Sequence, residues 1–168
     1  NISSKLPRHF NSQWWKKLFI NRQSRKNCLR LQTFIINSMH LDIGNDRPFF
    51  LIAGPCQIES EEHAYKMASE LTEITNNLDI QLIYKSSFDK ANRTSLYGKR
   101  GAGLERGMEI FDYLKDKIKG LKIITDLHTE KQCSIVAPHV DALQIPAFLC
   151  RQSDLLIAAG ETGKYINI

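Results

Sequence analysis

Three cations fall within nine residues in the stretch "YKSSFDKANRTS" (84–95): Lys85, Lys90 and Arg93. Lys85 lies near the end of the apolar run "IQLIYKSS" (80–87), where an unpaired ammonium is costly. Two arrangements relieve that cost. An anionic ligand, phosphate above all, could sit against the lysine, or a carboxylate such as Asp126 could pair with it. Lys90 and Arg93 read either as further anion ligands or as solvated loop charges. Asn92, Thr94 and Ser95 add short hydrogen-bonding groups, which also make ordinary turns. Asp126 and His128 stand one residue apart after "LKIITD"; they could polarise a carbonyl or hydroxyl, or cap the helix that follows. Cys56 in "GPCQIES" (54–60) stands just past a Gly-Pro, beyond the apolar run "FFLIA". A thiol there could be a metal ligand, a nucleophile or a packing residue, whereas Cys133 and Cys150 read as packing. The glycine-rich "KRGAGLERG" (99–107) could cradle a phosphate. It lacks Walker spacing, so it reads as a flexible connection.

These groups need elements to position them. Short runs rich in Ile and Leu recur at 48–54, 80–87, 121–126, 140–146 and 165–168, as expected of strands buried on both faces. Between the first two, Ala64, Met67, Ala68, Leu71, Ile74 and Leu78 follow three-and-four spacing and predict one apolar helix face. Ser60 is placed to cap that helix, with Glu61 and Glu62 at its positive end. A second helix carries Leu104, Met108, Phe111, Leu114 and Ile118 on one face, with Gly120 to end it. Shorter helical patterns cover 129–137 and 151–162. The alternation predicts an α/β fold with a parallel sheet and right-handed crossovers, either doubly wound or a (β/α) barrel. No GxGxxG favours the doubly wound form. A closed barrel needs eight strands and about 250 residues, so this chain predicts a partial barrel of four to five β/α units. In such a sheet the strand carboxyl ends form one rim. It would gather Cys56, Lys85, Asp126 and the segment Gln144, Pro146, Ala147 and Phe148.

Charge is unevenly spread. Residues 1–38 hold eight of the 23 basic residues and no acid, a net +8; the remaining 15 basic and all 18 acidic residues give 39–168 a net −3. The basic balance thus belongs to the leader, and nucleic-acid binding is not implied for the body. The leader reads as non-native sequence translated upstream of Met39, as a transit-peptide-like segment, or as a basic arm bearing Trp14 and Trp15. Four scattered cysteines without CxxC pairs argue against a disulfide scaffold and for a reducing, cytoplasmic setting. No run of about 18 apolar residues predicts a membrane span.

Taken together, "GPCQIES", "YKSSFDKANRTS", "RGAGLERGMEIF", "IITDLH" and "LQIPAFLCRQSDLL" resemble the 3-deoxy-D-manno-octulosonate-8-phosphate synthases, also called 2-dehydro-3-deoxyphosphooctonate aldolases. The resemblance runs from about Met39 to Ile168 and covers roughly the first half of that family's chain. It implies a TIM barrel, homotetrameric and cytosolic, that condenses phosphoenolpyruvate with D-arabinose 5-phosphate and feeds lipopolysaccharide synthesis. By the same resemblance, Lys85 and Lys90 match phosphoenolpyruvate-site lysines, and Asn92, Arg93 and Thr94 match the segment holding the sugar phosphate. Asp126 lies near the sugar, and Gln144, Pro146, Ala147 and Phe148 form the mouth of the fourth strand. Cysteine at position 56 resembles the metal-dependent class, implying a divalent metal (Zn, Fe or Mn), with the remaining His, Glu and Asp ligands outside this chain. This length alone is therefore expected not to catalyse. The sister synthases that make 3-deoxy-D-arabino-heptulosonate 7-phosphate read Lys-Pro-Arg-Thr-Ser where this chain reads "KANRTS". A non-catalytic half-barrel that binds sugar phosphates is the alternative of a different class.

Overall fold

A computed structural model describes residues 41, 43–91 and 97–168. The chain divides between Met39 and His40, and the described residues lie in the second unit. Its elements run β1 (Phe50–Ala53), α1 (Glu61–Asn77), β2 (Gln81–Lys85), α2 (Leu104–Lys117), β3 (Lys122–Asp126), α3 (Glu130–Val136), β4 (Ala142–Gln144), a 3₁₀ turn (Ala147–Leu149), α4 (Ser153–Glu161) and β5 (Tyr165–Asn167). The five strands pair in sequence order, every pair parallel. A doubly wound sheet reverses its strand order at a switch point. Here the order never reverses, which is the wall of a (β/α) barrel: a partial barrel, as the sequence predicts.

Side chains alternate across a strand, and the two faces have different neighbours. One face carries Leu82, Tyr84, Ile123, Leu143, Ile145 and Ile166 and packs against Ala64, Ala68, Phe111, Leu114, Val136 and Ala159 of the helices. Each large side chain fully buried there contributes about 1.5–3 kcal/mol. The other face has a smaller cluster of Ile83, Ile124 and Ala142, with Leu41 and Phe50. Two residues further along each of these strands come Lys85, Asp126 and Gln144. The apolar floor of the inner face therefore gives way to polar groups at the carboxyl edge.

Helix α1 starts where predicted, with Ser60 Oγ accepting from the His63 N–H at 3.1 Å. Its predicted apolar face is right at Ala64, Met67, Ala68 and Leu71 but wrong at its end. Ile74 is 54% and Leu78 62% exposed, and Thr75 is buried instead. Leu78 follows the last helical residue, and the Thr75 carbonyl accepts from Ile80 N–H at 2.9 Å. The packed stripe Ala64, Ala68 and Leu71 continues at Thr75, four residues on, which leaves Ile74 on the flank, and Leu78 stands in the cap, where the chain turns back toward β2.

The glycine-rich stretch also differs from the flexible connection read in the sequence. Gly103 N–H donates to the Phe88 carbonyl at 2.9 Å, and Lys90 N–H to the Arg100 carbonyl at 2.7 Å. Arg100 Nε donates to Asp89 Oδ1 at 2.7 Å. The stretch is a packed clasp on residues 88–90: Gly101 and Gly107 supply close approach to Phe88, and Gly103 a positive φ of 83°, rather than slack. Among the described residues no helix is long and apolar enough to cross a membrane.

Gly107 separates two effects. Within α2, Gly→Ala favours the helix by about 1 kcal/mol. A Cβ at Gly107, however, would lie 2.5 Å from Phe88 Cβ, an atom next to the backbone that cannot swing away, and overpacking costs about 1–3 kcal/mol. Gly107→Ala is expected to destabilise the fold, read as a lower urea midpoint at unchanged slope.

Candidate active site

Because the strands are parallel, their carboxyl ends share one edge, and the connections leaving that edge build the site. Gly54 ends β1 where a Cβ would overlap the Lys85 carbonyl oxygen, so only glycine lets the β1 exit lie against β2. The following segment is stitched down: Gln57 bridges to Ser87, and Ile58 N–H donates to the Ser87 carbonyl at 2.9 Å. Cys56 is thereby held at the rim with its side chain exposed.

Asp126, at the end of β3, is the meeting point. Lys85 Nζ lies 3.0 Å from Oδ1 and Lys90 Nζ 3.3 Å from Oδ2. The side chains are 19%, 13% and 9% exposed for Lys85, Lys90 and Asp126, so the group is largely shielded from water. Ser87, fully buried, donates from Oγ to Asp126 Oδ2 at 2.8 Å and accepts from Lys85 Nζ at 3.1 Å. The Lys85–Oδ1 contact is charge proximity without hydrogen-bond alignment, since buried Oδ1 has no aligned donor. Burial pushes the Asp126 carboxyl up, but the adjacent Lys85 ammonium, the Ser87 hydroxyl and the charge of Lys90 outweigh it, and the carboxyl ends below its ordinary value. The ion pair weighed as the alternative for Lys85 is thus present. It does not exhaust the charge: two ammonium groups face one carboxylate.

The remaining predicted residues fall in different places. Gln144 is the register partner of Asp126, and its Oε1 accepts from Asn167 Nδ2 at 3.3 Å. Pro146 and Ala147 lead into the 3₁₀ turn, where Phe148 is 87% exposed. Asn92, Arg93 and Thr94 lie outside the described residues. His128 does not cap α3. Its backbone N–H donates to Gln132 Oε1 at 2.8 Å, and its ring stands edge-on to Phe88 with centroids 5.9 Å apart. Burial pushes the imidazole below its ordinary value, against the pull of Asp89 and Asp126. Ser87 is the residue that sequence reasoning passed over. Its one signal was its place two positions after the strand-end lysine.

A divalent metal needs about four donors in closed structural sites and three in open catalytic ones. Among the described residues no three His, Cys, Asp or Glu side chains converge, and the exposed Cys56 thiol offers a single donor. The described residues do not by themselves form a metal site.

Removing the Asp126 charge leaves two shielded ammonium groups uncompensated, so Asp126→Asn is expected to cost about 3 kcal/mol near neutral pH. A carboxyl held below its ordinary value of 3.8 stabilises the fold above that pH, and the contribution is lost as pH falls through the folded-state value. The gap between the native chain and Asp126→Asn in urea unfolding should therefore be constant at neutral pH and shrink below 3.8.

A family model for the DAHP synthetase I family matches residues 27–168, starting ahead of Met39. The 2-dehydro-3-deoxyphosphooctonate aldolase of Brucella anthropi is 60% identical over 129 residues, which is 77% of this chain and 46% of that protein. The proteins of the same name from Brucella ovis and Brucella canis are 58% identical over the same length. The chain spans about half the length of the curated relatives it matches. With the family match covering the whole described sheet and its charged rim, the chain belongs to the DAHP synthetase I family.

Proposed function

We propose that this chain contributes the phosphoenolpyruvate-binding rim of an enzyme that condenses phosphoenolpyruvate with D-arabinose 5-phosphate. The products are 3-deoxy-D-manno-octulosonate 8-phosphate and inorganic phosphate. The observation that carries the reading is the surplus cation: Lys85 and Lys90 share one buried carboxylate, leaving net positive charge where all the strands end. The names of the relatives support the same reaction.

In this reaction C3 of phosphoenolpyruvate attacks the aldehyde carbon of the sugar. Positive character develops at C2, water adds there, and phosphate leaves. Two phosphorylated molecules must be held together against their repulsion. Lys85 and Lys90 would offset that repulsion at phosphoenolpyruvate, with Asp126 fixing both ammonium groups, while Asn92, Arg93 and Thr94 would take the sugar phosphate. Preorganised charge of this kind lowers a barrier because it costs no reorganisation during the reaction. Gln144, Pro146, Ala147 and Phe148 would shape the wall beside Asp126, and Cys56 would be this chain's one donor to a divalent ion (Zn, Fe or Mn). We propose the same domain division as the sequence suggests: a basic leader at 1–38 and the synthase segment at 39–168. That segment would act in the cytoplasm, within a homotetramer when the whole enzyme is assembled.

The sister reaction, with a four-carbon sugar phosphate, is the second reading, and the family model covers it as well. "KANRTS" in place of Lys-Pro-Arg-Thr-Ser favours the five-carbon sugar. Titration calorimetry with phosphoenolpyruvate, followed by each sugar phosphate in turn, tests the choice. Phosphoenolpyruvate is expected to bind the 168-residue chain, and Lys85→Ala to weaken it about tenfold or more, the loss of one charge-assisted hydrogen bond. No phosphoenolpyruvate binding would remove the reading, and preference for erythrose 4-phosphate would transfer it to the sister reaction. Phosphate release with both substrates above that of Cys56→Ala would mean this length of chain already catalyses.

A further inference from the structure

The amino end of the sheet gathers cations of its own, around the buried Asp141. Ile123 N–H donates to Asp141 Oδ2 at 3.0 Å. Lys115 Nζ lies 3.0 Å from the same oxygen, and Lys122 Nζ 3.5 Å from Oδ1. Two ammonium groups and one amide already more than balance this carboxylate. The sheet then adds a third cation. Leu143 of β4 stands opposite Ile166 of β5, and both pack on the helix side. Side chains alternate along a strand, so two residues earlier in each segment Asp141 and Lys164 lie on that same side, next to each other. The turn before β5 fixes Lys164 there: Gly163 takes a positive φ of 71°, which suits glycine, and Lys164 N–H donates to Thr162 Oγ1 at 3.3 Å. The electrostatics agree with the register. Burial and the charges of Lys115 and Lys122 push the Lys164 ammonium below its ordinary pKa, against the pull of Asp141.

Three half-buried cations therefore surround one anion. Each ammonium carries three donors and no acceptor, so the cluster has far more N–H groups than one carboxylate can accept. Like charges this close repel, and an oxyanion relieves both the repulsion and the donor excess through charge-assisted bonds. Asp112 and Asp116, the nearby acids of α2, lie against His139 and Lys117 instead. Lys164 borders an open groove of about 560 Å³ between α3 and α4, which gives access from solvent. Glu130 and Glu161 border the same groove, so a long polyanion laid across it would be repelled, whereas a single compact anion need meet only the three lysines. We propose that Lys115, Lys122 and Lys164 form an anion site at the amino end of the sheet, which takes a single phosphate-type oxyanion. Free phosphate and a phosphate monoester present the same oxygens to it. The site is independent of the phosphoenolpyruvate reading of the opposite rim.

Amide NMR of the 168-residue chain tests the site, with inorganic phosphate as titrant and chloride holding the ionic strength constant. The amides of Lys122, Lys164 and Tyr165 are expected to shift and saturate with a dissociation constant on the order of 1 mM. Lys164→Ala should raise that constant about tenfold, the loss of one charge-assisted hydrogen bond, and Lys164→Arg should restore most of the affinity. Should Lys164→Ala fail to fold, Lys164→Gln, which keeps most of the length and drops the charge, carries the same comparison. A second titration with arabinose 5-phosphate separates the sources: tighter binding than phosphate assigns the site to a phosphorylated metabolite, weaker binding to free phosphate. The amides of Ser86 and Ser87 report the opposite rim in the same spectra. If only those move, the inference falls while the phosphoenolpyruvate reading stands. No saturable shift at the three amides, an equal response to chloride, or an unchanged constant in Lys164→Ala also overturns it.

Discussion

A single shielded carboxylate, Asp126, facing two ammonium groups is the interaction on which the rest of the rim depends. A lone lysine at the end of a strand, as shielded as Lys85, would be unstable as an ion. A matched pair would be stable but inert, its charges spent on each other. Two cations sharing one anion lie between these cases: folded at tolerable cost, with positive charge left over. The hydroxyl of Ser87 joins the group, accepting from Lys85 and donating to Asp126.

The opposite end of the sheet shows what a similar charge set does when it serves the fold. Asp141, buried just before β4, accepts from the backbone N–H of Ile123 at 3.0 Å and pairs with Lys115 at 3.0 Å and Lys122 at 3.5 Å. There the carboxylate ties α2, β3 and β4 together through a main-chain bond. At the carboxyl end, among the described residues, Asp126 accepts from the side chains of Ser87 and Lys90. The contrast follows the general division of labour in parallel β/α walls, where one end stabilises and the other carries chemistry. Apolar contacts on both faces fix the spacing between the ends: the helix-side cluster and the smaller inner one of Ile83, Ile124 and Ala142.

Period and punctuation made much of this legible. The five strands and four helices of the described residues stand where apolar runs and helical patterns put them, but burial on both faces holds only for the central strands: Ile52 of β1 is 40% and Tyr165 of β5 45% exposed. The failures are local and have local causes. Ile74 lies beside a buried stripe that runs through Thr75 instead, and Leu78 falls in the cap beyond the last helical residue. The glycines of 101–107 look like slack in one dimension, but Gly107 is a contact surface for Phe88. A glycine spent on close approach and a glycine spent on flexibility are the same letter.

The order of elements, the parallel sheet, the uneven charge and the cluster of reactive residues at strand ends were determined by the sequence alone, since each depends on neighbours within a turn or a strand. Which charges meet was not. Ser87 and Asp126 are 39 residues apart, and their contact depends on the register of β2 against β3, which sets Lys85 opposite Ile124. Strand register follows from how two faces pack at once. A shift of one residue would move the inner cluster to the helix side and carry Asp126 away from both lysines. That choice belongs to the assembled core, and with it the decision that Lys85 is paired but not neutralised.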